Sequence, residues 1–356
     1  MKISKIELEN VKCFSKEILY LTKEETEEPL SMCALVGANG AGKSTILKSI
    51  VATFSTLESE YQGENFTDDA ISYDKDYMEV NLDLKLNENE KDIIKYQDDK
   101  LEMRYKHFVN EIDGYDNKKE GLFIPDDISK EEWEQYAQAV IDLLRNEQVG
   151  LIMYYDPFRF VSDKNPAGPN MQRFVSTKEG ALSSNLNKNG ENSYRDFDLK
   201  QWIINMDYTR LKEPTSRNQA IYMHMIKAFE LLSHPLKFET INQNGNIMFK
   251  NEEDGKLLSV DMLSDGFKSI FSIVLDIIRR LALAPDFDGE EFYMKEAVIL
   301  IDEIDCHIHP KWQRKLVPAF RELFPNCQFI FTTHSPYILD SLQTYEIKKV
   351  GERNII

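Results

Sequence analysis

This sequence predicts an α/β fold, a mixed β-sheet core with flanking helices and a partly helical insertion. Three observations carry that reading. Short, nearly unbroken apolar runs at 30–36, Val298–Ile301 and Gln328–Thr332 read as strands buried on both faces. Two of these runs lead into helical spacing: a glycine-rich turn at 37–42 precedes a helix over 43–54, and 302–310 precedes a helix over 311–324. Stretches such as 3–8 (ISKIEL) and 78–86 (MEVNLDLKL) alternate apolar and polar residues, the pattern of half-buried strands.

The remaining elements follow in chain order. Residues 18–21 read as the antiparallel partner of 3–8, and 101–107 as a partner of 78–86. Residues 128–147 have helical spacing with one polar face, and 150–155 form a strand. The span 161–195, rich in Asn, Ser, Gly and Lys, reads as an exposed connection. Residues 198–233 are mostly helical, with a break at 213–215 around Pro214. Residues 237–240 and 247–249 suggest a hairpin across Asn244-Gly245. A long helix begins near Asp265. The division expected is 1–60 plus 256–356 as the core, with 61–255 as an inserted region that carries specificity and projects a short arm at most.

Composition excludes several classes. The 356 residues are 42% hydrophobic and 29% charged, as in globular proteins. The most apolar helix, 270–284, carries Asp276, Arg279 and Arg280, so it is no membrane span. The opening MKISKIELEN lacks the apolar core of a signal peptide. Cys13, Cys33, Cys306 and Cys327 form no CxxC pair, which suits a reducing cytoplasm. A formal charge of −18 opposes non-specific DNA binding, where cations must replace phosphate counterions. The acidic clusters at 23–28 and 68–76 read as solvated loops.

Four motifs carry chemistry. GANGAGKST (Gly37, Ala38, Asn39, Gly40, Ala41, Gly42, Lys43, Ser44, Thr45) lies between a strand and a helix, the context in which backbone amides wrap phosphates. Lys43 is expected to reach the β- and γ-phosphates of ATP, and Ser44 to offer its hydroxyl to Mg²⁺. Asp302 and Glu303 end a buried strand; Asp302 suits Mg²⁺ and Glu303 suits an attacking water. LSDGFKS opens the long helix, where Ser264 and Gly266 could meet a phosphate, though an ordinary serine cap explains it equally. His334, at the end of a strand, could hydrogen-bond a γ-phosphate or be structural. The run Cys306, His307, His309 is too cramped for a tetrahedral zinc site.

In this order the motifs resemble an ATP-binding-cassette ATPase of the SMC/RecF/OLD branch. GANGAGKST resembles Walker A, LSDG the signature, ILIDE Walker B, IDCHIHP the D-loop and TTHSP the histidine switch. The opening strands, with NVKCF at 10–14, resemble this branch as well. The likeness covers about 1–55 and 255–345, and the DEID-x-H-x-HP form is most like OLD-type ATPases of phage defence. It implies a head-to-tail homodimer in which Ser264 and Gly266 of one subunit complete the site of the other, with Glu303 and His334 catalytic. The expected Q-loop glutamine is missing; Arg159 of DPFRF could replace it, Gln148 fits less well, and an arginine without an ATP role remains open. The signature departs from LSGGQ, which argues against a transporter.

The function implied is an ATP-driven sensor or scaffold in bacterial antiviral defence, working with a separate effector such as a nuclease. OLD enzymes carry a nuclease domain after the histidine switch, whereas 20 residues follow Pro336 here. The alternative is a DNA repair ATPase of RecF or SMC type, which the acidic charge and short insertion disfavour.

Overall fold

The computed structural model describes residues 1–23, 26–55, 68–108, 120–123, 129–146, 148–157, 199–242, 246–284 and 289–351, and among these residues three sheets organise the chain. The expected connection at 161–195, Arg159 and the Asn244-Gly245 turn lie outside the described residues.

The chain starts with β1 (Lys2–Val11), β2 (Phe14–Tyr20), β3 (Met32–Val36), α1 (Lys43–Ser55), β4 (Tyr77–Lys85) and α2 (Glu88–Ile94). Next come β5 (Lys100–Phe108), β6 (Glu120–Phe123), α3 (Lys130–Arg145), β7 (Ile152–Tyr155), α4 (Leu199–Lys212) and α5 (Ser216–Ser233). The rest is β8 (Leu236–Ile241), β9 (Ile247–Asn251), β10 (Leu257–Ser259), α6 (Asp265–Leu283), β11 (Val298–Ile301), α7 (Pro310–Leu323), β12 (Gln328–Thr332), α8 (Pro336–Leu339) and β13 (Ile347–Lys349).

The central sheet has the order β13-β3-β12-β11-β7, and every neighbouring pair is parallel. Side chains of a strand point alternately to its two faces, and here the alternation divides the molecule into two cores. Met32, Ala34, Met153, Tyr155, Ile299, Ile301, Phe329 and Phe331 join a core shared with α5, α6 and α7. Cys33, Leu35, Ile152, Tyr154, Val298, Leu300 and Ile330 join a second core with α1, α3 and the antiparallel sheet β2-β1-β4-β5-β6. Both faces being covered is why these strands read as unbroken apolar runs. Gln328, fully buried, joins the two sheets: its Oε1 accepts the Ile3 amide at 2.7 Å, and its Nε2 donates to the carbonyls of Ile3 and Leu30 at 2.8 and 3.0 Å.

Strands β4 to β7 fall between residues 61 and 255, yet β4 pairs with β1 and β7 pairs with β11. Motif positions alone could not show this, because pairing partners lie far apart in sequence. The short helix α2 and strands β10 and β13 were not anticipated. Helix α2 is held by a capping box between Asn87 and Glu90 and has no apolar face to announce it. Pro214 breaks the expected helix where foreseen, between α4 and α5. No helix among the described residues is long and apolar enough to cross a membrane.

Helix α6 is buried almost all round, so its charges must be paired. Asp276, fully buried, accepts from Arg279 Nε and Nη2 at 3.0 and 2.5 Å, from Arg280 Nε at 2.7 Å and from the Tyr155 hydroxyl at 3.0 Å. Burial alone would raise the Asp276 carboxyl; the guanidiniums of Arg280 and Arg279 outweigh it and hold the pKa at about 2. The cluster ties α6 to β7. On the same side of the sheet, His224 stacks on Tyr293 at 4.7 Å and faces the Leu323 carbonyl at 3.1 Å. Burial pushes its pKa from 6.5 down to about 4.

Replacing Asp276 with Ala leaves two arginines buried without their carboxylate, a loss of about 3–5 kcal/mol that urea denaturation will show as a lower midpoint. His224 gives a pH signature. Between about pH 4 and 6.5 the unfolded chain binds a proton there that the folded chain does not, so stability rises with pH through that window. In His224→Gln the slope of unfolding free energy against pH should fall by at most about 1.4 kcal/mol per unit; equal slopes for the two proteins would contradict this.

Candidate nucleotide site

In open α/β sheets, ligands bind beyond the carboxyl ends of the strands, and here four such ends are level. Leu35 pairs with Thr332, Phe331 with Ile301, and Ile301 with Tyr155. The segments that leave these ends are the glycine loop after β3, Asp302 and Glu303 after β11, Thr333 and His334 after β12, and Asp156 after β7. The sheet thus gathers motifs separated by hundreds of residues.

The glycine loop is braced from two sides. Gly42 has φ of 95°, a left-handed conformation that side chains other than glycine rarely adopt. A Cβ on it would lie 2.3 Å from the Phe14 ring and 2.7 Å from Cys13 Sγ, so the β1–β2 turn closes on the loop. On the other side Gly37 meets the Val350 carbonyl, and Gly351 meets Ala41. Lys43 is buried at the start of α1, and its ammonium donates to the carbonyls of Gly37 and Ala38 at 2.9 and 3.0 Å. The loop therefore folds around its own cation. Ser44 and Thr45 follow it in the first turn of α1, both half-buried.

The two adjacent carboxylates part company. Asp302 is 2% exposed and points inward, where its Oδ1 accepts the Thr332 hydroxyl at 2.6 Å. Glu303 has φ of 48° and an exposed side chain, and its N–H donates to the same Thr332 oxygen at 2.7 Å. Thr332 thus fixes both residues with one hydroxyl, the kind of outer-shell support that orients ligands. Sequence reasoning missed this role; the signal was a hydroxyl residue ending the strand next to the acidic doublet. His334 is exposed just beyond.

The signature stands at the N-terminus of α6. Ser264 caps the helix, accepting the Phe267 amide at 3.4 Å, so the capping reading holds while its hydroxyl proton stays free to donate. Gly266 is buried, and a Cβ there would lie 1.9 Å from the His307 carbonyl oxygen. Its lack of a side chain therefore lets the D-loop pack against α6 within one chain, a contact no sequence pattern announced. His307 has φ of 61°, and His309 caps α7, its Nδ1 accepting the Lys311 amide at 3.2 Å with Pro310 at the first helical position. No group of three or more His, Cys, Asp or Glu that could hold a metal occurs among the described residues. Gln148 precedes β7, at the far end of the strand from the site, with its N–H donating to Asn146 Oδ1 at 2.8 Å.

Comparison with known proteins bears on the family and the fold. Residues 32–340 match the family model described as "AAA domain, putative AbiEii toxin, Type IV TA system". The chain belongs to this AAA-domain family. That description and the names of its relatives support ATPase activity. The chain is 32% identical over 176 residues to the retron Vc95 probable ATPase of Vibrio cholerae serotype O1 biovar El Tor, covering 49% of this chain and 31% of that one. It is 24% identical to the retron Ec83 probable ATPase of Escherichia coli, covering 98% of this chain and 71% of that one. It is 28% identical to the Septu protein PtuA of Bacillus thuringiensis, covering 45% and 41%. The match thus spans less than half the length of two of these relatives. Among solved structures, an SMC head bound to the C-terminal winged-helix domain of ScpA superposes with a TM-score of 0.55 at 17% identity, covering 98% of this chain and 97% of that one. The SMC head domain from Thermotoga maritima gives 0.51 at 14% identity, covering 98% and 94%. The fold is that of an SMC-type ATP-binding-cassette head.

Thr332→Val keeps the shape of the side chain and removes the hydroxyl that holds Asp302 and the Glu303 amide. ATP turnover should fall about 10–100-fold with nucleotide affinity little changed, measured by phosphate release and by equilibrium titration. Wild-type turnover in this variant would show that the hydroxyl does not orient the carboxylates.

Proposed function

We propose that this AAA-domain ATPase is a nucleotide-gated switch that works as a head-to-tail dimer in bacterial antiviral defence. In each composite site, Gly37–Thr45 of one chain holds ATP and Ser264 at the N-terminus of α6 of the other caps it. Glu303 polarises the attacking water, and His334 contacts the γ-phosphate. The observation that carries the reading is that Glu303, His334 and Ser264 are exposed where they adjoin the buried strands β11 and β12 and the buried helix α6. Water must be excluded where a carboxylate activates a single attacking water, and a second copy supplies the missing wall. Met262, two residues before Ser264, is 72% exposed, apolar surface that such a dimer would cover.

The donors around Asp302 and Ser44 are oxygens, which suits Mg²⁺. Ser44 and Asp302 would hold the ion, which would supply neutralisation of charge in the transition state. Lys43 leaves its two carbonyl partners to bind phosphate. Kinship with retron and Septu proteins supports the defence setting. The effector chemistry, such as a nuclease, is assigned to a separate partner, because the site built here is one for phosphoryl transfer from nucleotide to water.

Glu303→Gln keeps ATP binding and removes the carboxylate that activates water. Size-exclusion chromatography with light scattering should show a stable dimer at saturating ATP and Mg²⁺, and a monomer without nucleotide. Adding Lys43→Ala should abolish the ATP-dependent dimer. A Glu303→Gln protein that stays monomeric at saturating ATP rules out this arrangement.

A further inference from the structure

Gln313 lies in the first turn of α7, buried, and its side chain is bonded at both ends. Its Oε1 accepts the Ser335 hydroxyl at 2.5 Å, and its Nε2 donates to the Ile308 carbonyl at 2.8 Å. The Ile308 carbonyl can only accept, so it fixes which end of the amide faces it. Each partner adjoins a residue of the nucleotide site. Ser335 follows His334, and its N–H donates to the Thr333 hydroxyl at 3.0 Å. Thr333 in turn donates to Asp305 Oδ1 at 2.6 Å. Ile308 follows His307, whose carbonyl oxygen occupies the place a Gly266 Cβ would need. Beside this contact, Phe267 and Trp312 pack edge to face at 4.9 Å. A path of buried contacts therefore runs from the end of β12, through Gln313 and the D-loop, to the N-terminus of α6.

We infer that Gln313 is a positioning residue that transmits the state of His334 to Ser264 of the same chain. The inference rests on the head-to-tail dimer proposed above, in which these two residues serve different nucleotides. His334 contacts the nucleotide held by its own glycine loop, while Ser264 caps the one held by the second copy. A shift of His334 draws on Ser335, and Gln313 follows because both its bonds are short and buried. The D-loop moves with Gln313. Gly266 has no side chain to absorb that motion, and close-packed interiors transmit displacement rather than cushion it. Occupancy or hydrolysis at one site is thereby read at the other, as a coupling free energy between sites requires.

The test compares ATP hydrolysis against ATP concentration for wild type, Gln313→Leu and Ser335→Ala, and measures ATP-dependent dimerisation of each in the Glu303→Gln background. Wild type should show a Hill coefficient approaching two, the limit for two sites. Both variants should fall to about one while dimerising at an ATP concentration within about twofold of that for the Glu303→Gln protein alone. Equal dimerisation with a lost Hill coefficient separates transmission from simple assembly, and a purely structural role would not produce it. A wild-type coefficient of one, or unchanged cooperativity in the variants, overturns the relay while leaving the dimer intact. If Glu303→Gln itself stays monomeric with ATP, the dimer fails instead. Should circular dichroism show Gln313→Leu unfolded, Ser335→Ala decides the matter, since it cuts the same path from the other end.

Discussion

Register in the central parallel sheet decides where everything else can stand. A strand presents alternate residues to opposite faces, so a slip of one residue in β12 would send Phe329 and Phe331 into the wrong core. The same slip would take Thr332 away from Asp302 and Glu303. Fold and site are therefore secured by one pattern of hydrogen bonds. Packing on both faces makes that pattern costly to change, because each face meets a different set of partners: aromatic-rich helices on one side, α1 and an antiparallel sheet on the other.

Polar groups inside this apolar frame do the joining. Gln328 stitches the parallel sheet to β1 through two hydrogen bonds to Ile3, with a third to Leu30, and Asp276 with its two arginines and Tyr155 stitches α6 to β7. Each is a directional contact where hydrophobic packing alone would permit sliding. Buried groups of this kind are expensive to leave unsatisfied, so they restrict the elements to one arrangement. The candidate nucleotide site inherits that rigidity, since α6 begins at Ser264 and β7 ends beside the acidic doublet.

Much of this was legible in the sequence. Strands β11 and β12 fall on the residues their apolar runs indicate, and α1, α6 and α7 begin within one residue of their expected starts, because glycine, serine and proline punctuate them. The pairing of 78–86 with 101–107 also follows from alternation. What escaped was non-local or weakly patterned. Asn87 and Glu90 spell a capping box, yet α2 is too short and polar to show a period. Gly266 suits a phosphate by its place at a helix start, but only the fold reveals that a Cβ there would meet a carbonyl about forty residues away in sequence. Thr332 belongs to the TTHSP run, and only the strand register reveals the carboxylate it holds. The span from 61 to 255 lacks motifs, but it supplies strands to both large sheets, which no motif search can detect.

The bracing of the glycine loop has a consequence for how the protein is made. One brace, Cys13 and Phe14, emerges early in synthesis; the other, Val350 and Gly351, belongs to the segment that follows β12 and β13. Contacts between such distant segments form late, after the loop they close has been ordered. While residue 350 is still inside the ribosome, the loop lacks one of its walls. The glycine loop is therefore braced on both sides only once the chain has been synthesised through that point.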